Sequence, residues 1–359
     1  MLEYNLIFCL VLFGIILNYF NKKNNLYYYV ICFLMLIICG LRKDVIGIDT
    51  INYLYFFTNP SDKAGYYQSV TTMEPGLGWI NAFLRLFIDN KYIYQLLIAA
   101  LCQIPIYLYI RKYSKNKYLS LFLYISFSIG TSAYFMSYNA MRQSIAIGVF
   151  VIFILLFYGY EGRFRRSILF MTIIMMVLIH KSSIIILLPF ILSKLSISKK
   201  KYIMIVLVAT LVGFIMNHFF SYLETIFIFI TGGDFYTRNL GYGNFNVVSL
   251  LPYSLICLIM IFYCKKDELH DINFNFFVLA IIVQGVMAFS GNNVDRMCSY
   301  FYIPSYIAIS NFLMCKFKPL YVRIPMLVCI LVYFTYKYYV SLYLMTESGH
   351  NFIPYKWCL

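Results

Sequence analysis

Long apolar runs separated by short polar breaks fill this chain almost from end to end. They cover residues 4–20, 26–41, 93–110, 118–135, 141–158, 168–180, 182–195, 202–220, 247–263, 274–289, 298–314 and 324–344. A helix needs roughly 20 apolar residues to cross a bilayer, and runs near that length without period-two alternation predict membrane helices rather than barrel strands. The pattern predicts an all-α polytopic integral membrane protein of about 12 transmembrane helices, forming a single bundle over 1–359. One further segment, 76–88, is shorter and amphipathic, and Pro75 stands where a first helical turn accepts proline. It is expected to be a half-inserted or interfacial helix. The first run has neither a basic flank before it nor a small-residue cleavage site after it, which predicts a retained helix rather than a signal peptide.

Composition strengthens the class. Of 359 residues 62% are hydrophobic and 12% charged, with a mean hydropathy of +0.77, far beyond soluble domains. The net charge of +15 would suit a nucleic-acid partner if it were gathered on a soluble face. Instead it sits in the breaks between apolar runs, so no nucleic acid is expected. The charge reads as a topology signal, with some attraction for anionic lipid. More than half of the 29 basic residues fall in alternate breaks, among them Lys22 and Lys23, Arg111 and Lys112, and Arg163, Arg165 and Arg166. They share one side only if 76–88 does not cross, which makes that side cytoplasmic and puts both termini outside. Segments 42–75 and 221–246 then become the larger outer loops, and most of the 14 acidic residues lie outside the cytoplasmic breaks. The 10 cysteines sit mostly inside apolar runs, without metal or disulfide spacing.

The stretch from Asn139 to Phe190 carries the conspicuous polar groups. Arg142 opens one apolar run and His180 closes the next, with the arginine cluster at Arg163, Arg165 and Arg166 between them. Both residues should therefore share the face opposite that cluster. With Gln143 and Ser144, Arg142 makes a polar patch on the first turns of an apolar helix. A guanidinium inserted there costs up to about 3 kcal/mol without a partner, so it either snorkels to headgroups or meets an anion. His180 reads as a hydrogen-bonded structural residue or as a proton acceptor near neutral pH. Arg42, followed by Asp44 and Asp49, reads as an interfacial anchor with a loop salt bridge, or as a phosphate contact whose planar fork makes two charge-assisted hydrogen bonds. Asp295 and Arg296 form either a turn-capping pair or a base beside a phosphate contact. Arg238 is either a solvated loop residue or a further ligand contact. Such an outer face suits an anionic, sugar-bearing ligand.

These residues form an ordered set. It runs Gly40-Leu41-Arg42-x-Asp44-x-x-Gly47-x-Asp49-Thr50-x-x-Tyr53, then Glu74-Pro75-Gly76, then Asn139-x-x-Arg142-Gln143-Ser144-Ile145-Ala146, then His180-Lys181-Ser182-Ser183 and Pro189. Asp295-Arg296 with Tyr300, and Ile353-Pro354-Tyr355, complete it. Over nearly the whole chain the set resembles EpsG-like membrane proteins and Wzy-type O-antigen polymerases. The resemblance implies a GT-C-like membrane glycosyltransferase of the bacterial inner membrane, acting in surface-polysaccharide or lipopolysaccharide biosynthesis at the periplasmic face. Such enzymes transfer a growing glycan from undecaprenyl diphosphate onto a lipid-linked repeat unit.

On that implication Arg42, Arg142, Arg296 and Arg238 bind the diphosphate, and His180, Asp295, Asp44 and Asp49 are the candidate catalytic groups. Asn139, Gln143, Glu74 and Tyr53 would contact sugar. A sugar diphosphate already has a good leaving group, so neutralising its charge matters more than protonating it, and no paired carboxylic acids are required. No cofactor or metal site is expected, and Mg2+ carried by the substrate diphosphate would keep its waters. The expected partners are the undecaprenyl-diphosphate-linked oligosaccharide, membrane lipid, a chain-length regulator and a flippase. Two rivals remain. A lipid-linked oligosaccharide flippase would place ionisable or broken-helix sites near mid-membrane and show internal repeats. An O-antigen ligase would use the same donor with a lipid A core acceptor.

Overall fold

The computed structural model describes residues 1–20, 25–59, 74–127, 132–157, 162–192, 197–231, 250–269, 271–286, 292–315 and 319–358. Among them the structure is helical, without a β-strand and with one isolated bridge between Arg42 and Trp357. In chain order the helices are α1 (Leu2–Tyr19), α2 (Asn25–Gly40), α3 (Thr50–Thr58), α4 (Pro75–Arg85), α5 (Lys91–Tyr113), α6 (Lys117–Ser126), α7 (Ala133–Asn139) and α8 (Met141–Phe157). Then follow α9 (Gly162–Ile179), a 3-10 turn at Lys181–Ile186, α10 (Leu187–Leu192), α11 (Lys199–Thr231), α12 (Leu250–Tyr263), α13 (Lys266–Leu269), α14 (Ile272–Val286), α15 (Asn292–Leu313) and α16 (Leu320–Met345). By length and composition α1, α5 and the stretch Leu320–His350 are apolar enough to cross a membrane. Shorter apolar helices include α2, α12 and α14 and most of α8 and α9. The chain is an all-α membrane protein.

Several helices depart from the predicted runs. The run 118–135 is not one helix: α6 stops at Ser126, Phe127 is extended, and α7 starts after an extended Ser132. Ser132 is an N-cap whose hydroxyl accepts from the Phe135 N–H at 3.4 Å. A local polar cap can begin a new helix inside an apolar run. The run 182–195 opens as the 3-10 turn and continues as the short α10, with Pro189 in the first turn, where proline is tolerated. Segment 42–75 contains α3, and α11 continues to Thr231, into the segment 221–246. The expected interfacial helix at 76–88 is present as α4.

Two compact units divide the chain. One comprises Met1–Phe127, Ser132–Ile184 and Val332–Leu359, and the other Ser128–Thr131 and Ile185–Leu331. In the first, α2 and α5 run antiparallel. The Tyr28 hydroxyl donates to Tyr107 O at 2.7 Å near one end, and Gln95 Nε2 donates to Gly40 O at 2.9 Å near the other. Helix α8 lies tightly on α5 at Gly148, where a Cβ would stand 2.5 Å from Leu101 O. The C-terminal segment is part of this core. Phe352 is fully buried among Tyr4, Phe135 and Tyr138, and the Tyr355 hydroxyl donates to Ile38 O at 2.5 Å.

In the second unit α14 is buried almost throughout and packs with α11 and α15. Two of its buried polar side chains find partners on the neighbouring helices. The Tyr202 hydroxyl donates to Asn275 Oδ1 at 2.7 Å, and Gln284 Nε2 donates to the Tyr302 hydroxyl. Burial of such groups is tolerable only with partners of this kind.

Candidate functional site

The site is built in the first unit, where α8 begins. Met141 O lies 4.0 Å from Cys102 Sγ, so the head of α8 faces the middle of α5, about 16 Å along its axis from Lys91 at about 1.5 Å per residue. Arg142, in the first turn of α8, is therefore recessed relative to the end of α5. Its Nη1 donates to Glu74 Oε2 at 2.6 Å and its Nε to the Tyr53 hydroxyl at 3.4 Å. Nη2 makes no hydrogen bond among the described residues, and the side chain keeps 21% of its surface exposed. One edge of the guanidinium is held by the protein and another is presented outward.

Glu74 is the hub. It occupies the N-cap position of α4 but does not cap that helix with its side chain. Instead Oε2 meets Arg142, while Oε1 accepts from the Lys181 backbone N–H at 3.0 Å and lies 3.5 Å from His180 Nδ1. His180 ends α9, its own N–H bonded to Met176 O at 2.8 Å and its carbonyl accepting from Ser183 N–H at 3.0 Å. Burial pushes the Glu74 carboxyl group up. The Lys181 and Glu74 N–H groups together with Arg142 and His180 outweigh it and hold the group below its ordinary value. Glu74 is thus a carboxylate at neutral pH, bridging a cation and an imidazole. Burial also pushes the Tyr53 phenol up, against the opposing pull of Arg142, so its hydroxyl stays protonated.

Close backbone approach makes this bridge feasible. A Cβ on Gly76 would lie 2.8 Å from both Leu178 O and Ile179 Cγ1, so only glycine lets the start of α4 rest on the end of α9. The rest of α4 is fixed by Asn81 Oδ1, which accepts from the Tyr94 hydroxyl at 2.8 Å, and by Arg85 Nη2, which donates to Phe56 O at 2.8 Å.

Arg42 is almost fully buried. Its Nε donates to Ile46 O at 3.3 Å, Nη1 to Cys39 O and Cys39 Sγ, and Nη2 to Thr50 Oγ1 at 3.1 Å and Tyr138 O at 2.8 Å. All five of its N–H donors are engaged, and the guanidinium lies over the Tyr138 ring at 4.8 Å. It pins the segment after α2 against α7, and Gly47 follows with a φ of 89° and its Cα close to Tyr138 O. Asp44 pairs with Lys91 at 2.8 Å. Asp49 precedes α3, and its backbone N–H donates to Asn139 Oδ1 at 2.8 Å. Gln143 is buried. Arg296 is exposed on α15 of the second unit, and the Asp295 side chain and Arg238 lie outside the described residues. Among the described residues no group of three or more His, Cys, Asp and Glu side chains is arranged to hold a metal ion.

The family model for the EpsG family matches residues 25–357, which takes in every element of this cluster. The chain belongs to the EpsG family. EpsG-like proteins are relatives of Wzy-type polymerases. No curated protein and no solved structure matches the chain. In this EpsG-family protein the expected meeting of Arg142 and His180 runs through Glu74, which sequence reasoning had placed only as a sugar contact. Lys181 N–H, Gly76 and Lys91 were missed as partners. Only Gly76 carried a signal, since Glu-Pro-Gly joins a carboxylate to a helix start that leaves room for close contact.

Proposed function

We propose that this EpsG-family membrane protein is a polysaccharide polymerase. It would transfer a glycan from polyprenyl diphosphate onto a sugar hydroxyl of a lipid-linked repeat unit at the periplasmic face of the inner membrane. The supporting observation is the Arg142–Glu74–His180 cluster, a cation with an outward donor beside a carboxylate-held imidazole, recessed at the head of an apolar helix. In the reaction the acceptor oxygen forms a bond to the anomeric carbon as the bond from that carbon to the diphosphate oxygen breaks. The electron pair leaves with the diphosphate, whose charge Arg142 neutralises in a partly dehydrated setting where fixed donors gain strength. The acceptor proton passes to His180 Nε2. Glu74 faces Nδ1, fixing the tautomer and stabilising the imidazolium, as a carboxylate does for histidine in other acid–base pairs. Arg42 is left out of the diphosphate site because its donors are engaged, the contributions of Asp295 and Arg296 rest on the family pattern alone, and that of Arg238 on its place in the segment 221–246.

The test is to incubate purified protein with one synthetic undecaprenyl-diphosphate repeat unit and separate the products on a gel. Wild type should give a ladder of repeat-unit multiples and Arg142→Ala none. The break at Phe127 and Ser132, both buried, is also compatible with one rival, because transporters too are built with discontinuous helices. Folded wild type that gives no ladder but moves the substrate across vesicles would establish a flippase instead.

A further inference from the structure

Helix α4 is inverted with respect to water. Its one uncharged polar side chain, Asn81, is buried against Tyr94, while Pro75, Gly78, Trp79, Ala82, Phe83 and Leu86 are exposed along one stripe. Trp79 is 59% exposed, Phe83 61% and Leu86 74%. A Cβ on Gly78 would meet nothing within 4 Å, so the stripe is open beside the first turn and walled by the two aromatics. Positions four residues apart stack on one face of a helix, which makes the stripe continuous over the roughly 16 Å of α4. It starts at Pro75, bonded directly to Glu74 of the polar cluster.

We infer that this face of α4 holds the polyprenyl chain of the lipid-linked substrate. The inference rests on reading the Arg142 cluster as the diphosphate site. In a polyprenyl diphosphate the charged head is bonded directly to the apolar tail, so a head held at Arg142 delivers the first isoprene units to whatever surface borders the cluster. That surface needs to be apolar and uncharged, open next to the head, and fixed relative to it. Helix α4 meets these conditions along the stripe: small residues line its open side, aromatics flank them, its one charged side chain, Arg85, is tied to Phe56 O, and Gly76 locks its start to α9. The tail adds apolar contact to the charged recognition of the head, so the same diphosphate on a short or absent tail binds more weakly.

Trp79 is its own reporter, since the chain has only 2 tryptophans, Trp79 and Trp357. Full-length Trp357→Phe protein in nanodiscs of brominated phosphatidylcholine should show Trp79 emission quenched by the surrounding lipid. Undecaprenyl diphosphate should relieve the quenching saturably, while inorganic diphosphate and undecaprenol at equal concentration should not. Phe83→Ala and Arg142→Ala, each in that background, should raise the midpoint several-fold. Wild-type protein with a Trp79→Phe control, which must abolish the response, gives the same readout should Trp357→Phe misfold. The ladder assay on the same samples separates this inference from the polymerase reading. A ladder without relief of quenching overturns the tail site and leaves the polymerase standing. Relief without a ladder does the reverse, and neither overturns both. Relief by undecaprenol alone would make the stripe an ordinary lipid contact and overturn the inference.

Discussion

Glu74 sits where an N-cap carboxylate ordinarily closes its own helix, and it bridges Arg142, His180 and the Lys181 N–H instead. Because these partners hold the folded-state value below the unfolded one, the interaction stabilises fully above the ordinary carboxylate range and is lost as pH falls through the depressed value. The difference in thermal unfolding temperature between wild type and Glu74→Gln should therefore be largest at neutral pH and narrow below about pH 4.5. A difference that stays constant on acidification would mean the charge of Glu74 contributes nothing. At this scale the sequence exposed Arg142 and His180, because an ionisable group at the end of an apolar run is conspicuous. It did not expose Glu74 as their link, since the contact joins positions far apart in the chain. Arg42 shows the converse. Beside Asp44 and Asp49 it invites a carboxylate partner, yet its hydrogen bonds go mainly to carbonyl oxygens, including Tyr138 O, which no pattern of charges reveals.

Elements were legible where hydrophobic length alone decides them. Helices α1, α2, α5 and α8 begin and end close to their apolar runs, whereas the break between α6 and α7 and the short α3 depend on caps and tertiary contacts that hydropathy does not encode. The placement of α4 turns on a single atom's absence. Gly76→Ala would force a methyl into the Leu178 carbonyl and the Ile179 side chain, and overpacking of this kind costs about 1–3 kcal/mol. Two residues along, Gly78→Ala meets open space and replaces the poorer helix former, a gain of up to about 1 kcal/mol. Unfolding of the two variants in detergent should therefore shift in opposite directions. Polymer formation should fall with Gly76→Ala, because α4 carries Glu74. Equal shifts would show that α4 does not rest on α9 as described.

At the scale of the whole molecule, the charges along α5 predict which side of the membrane the cluster faces. Its 23 residues extend about 35 Å, longer than a hydrocarbon core of about 30 Å, so its two ends lie in different aqueous phases if it crosses upright. Its first turn carries Lys91, neutralised by Asp44, on the side where Glu74 also offsets Arg142. Beyond its last turn come Lys115 and Lys117 after Arg111 and Lys112, with Arg111 and Lys117 lying over the Tyr29 and Tyr28 rings. Compensated charge at one end and concentrated positive charge at the other is the asymmetry that orients membrane helices, with the basic end retained in the cytoplasm. Asp89→Cys, just before α5, should therefore react with a membrane-impermeant thiol reagent added to intact spheroplasts. Lys115→Cys should react only after permeabilisation, each compared with wild type for its 10 native cysteines. The opposite pattern would put Arg142 and His180 in the cytoplasm, where a repeat unit has not yet been flipped, and a polymerase of flipped units could not work from there. The labelling thus decides the chemistry as well as the topology, because the same cluster facing inward would meet the lipid-linked sugar before export.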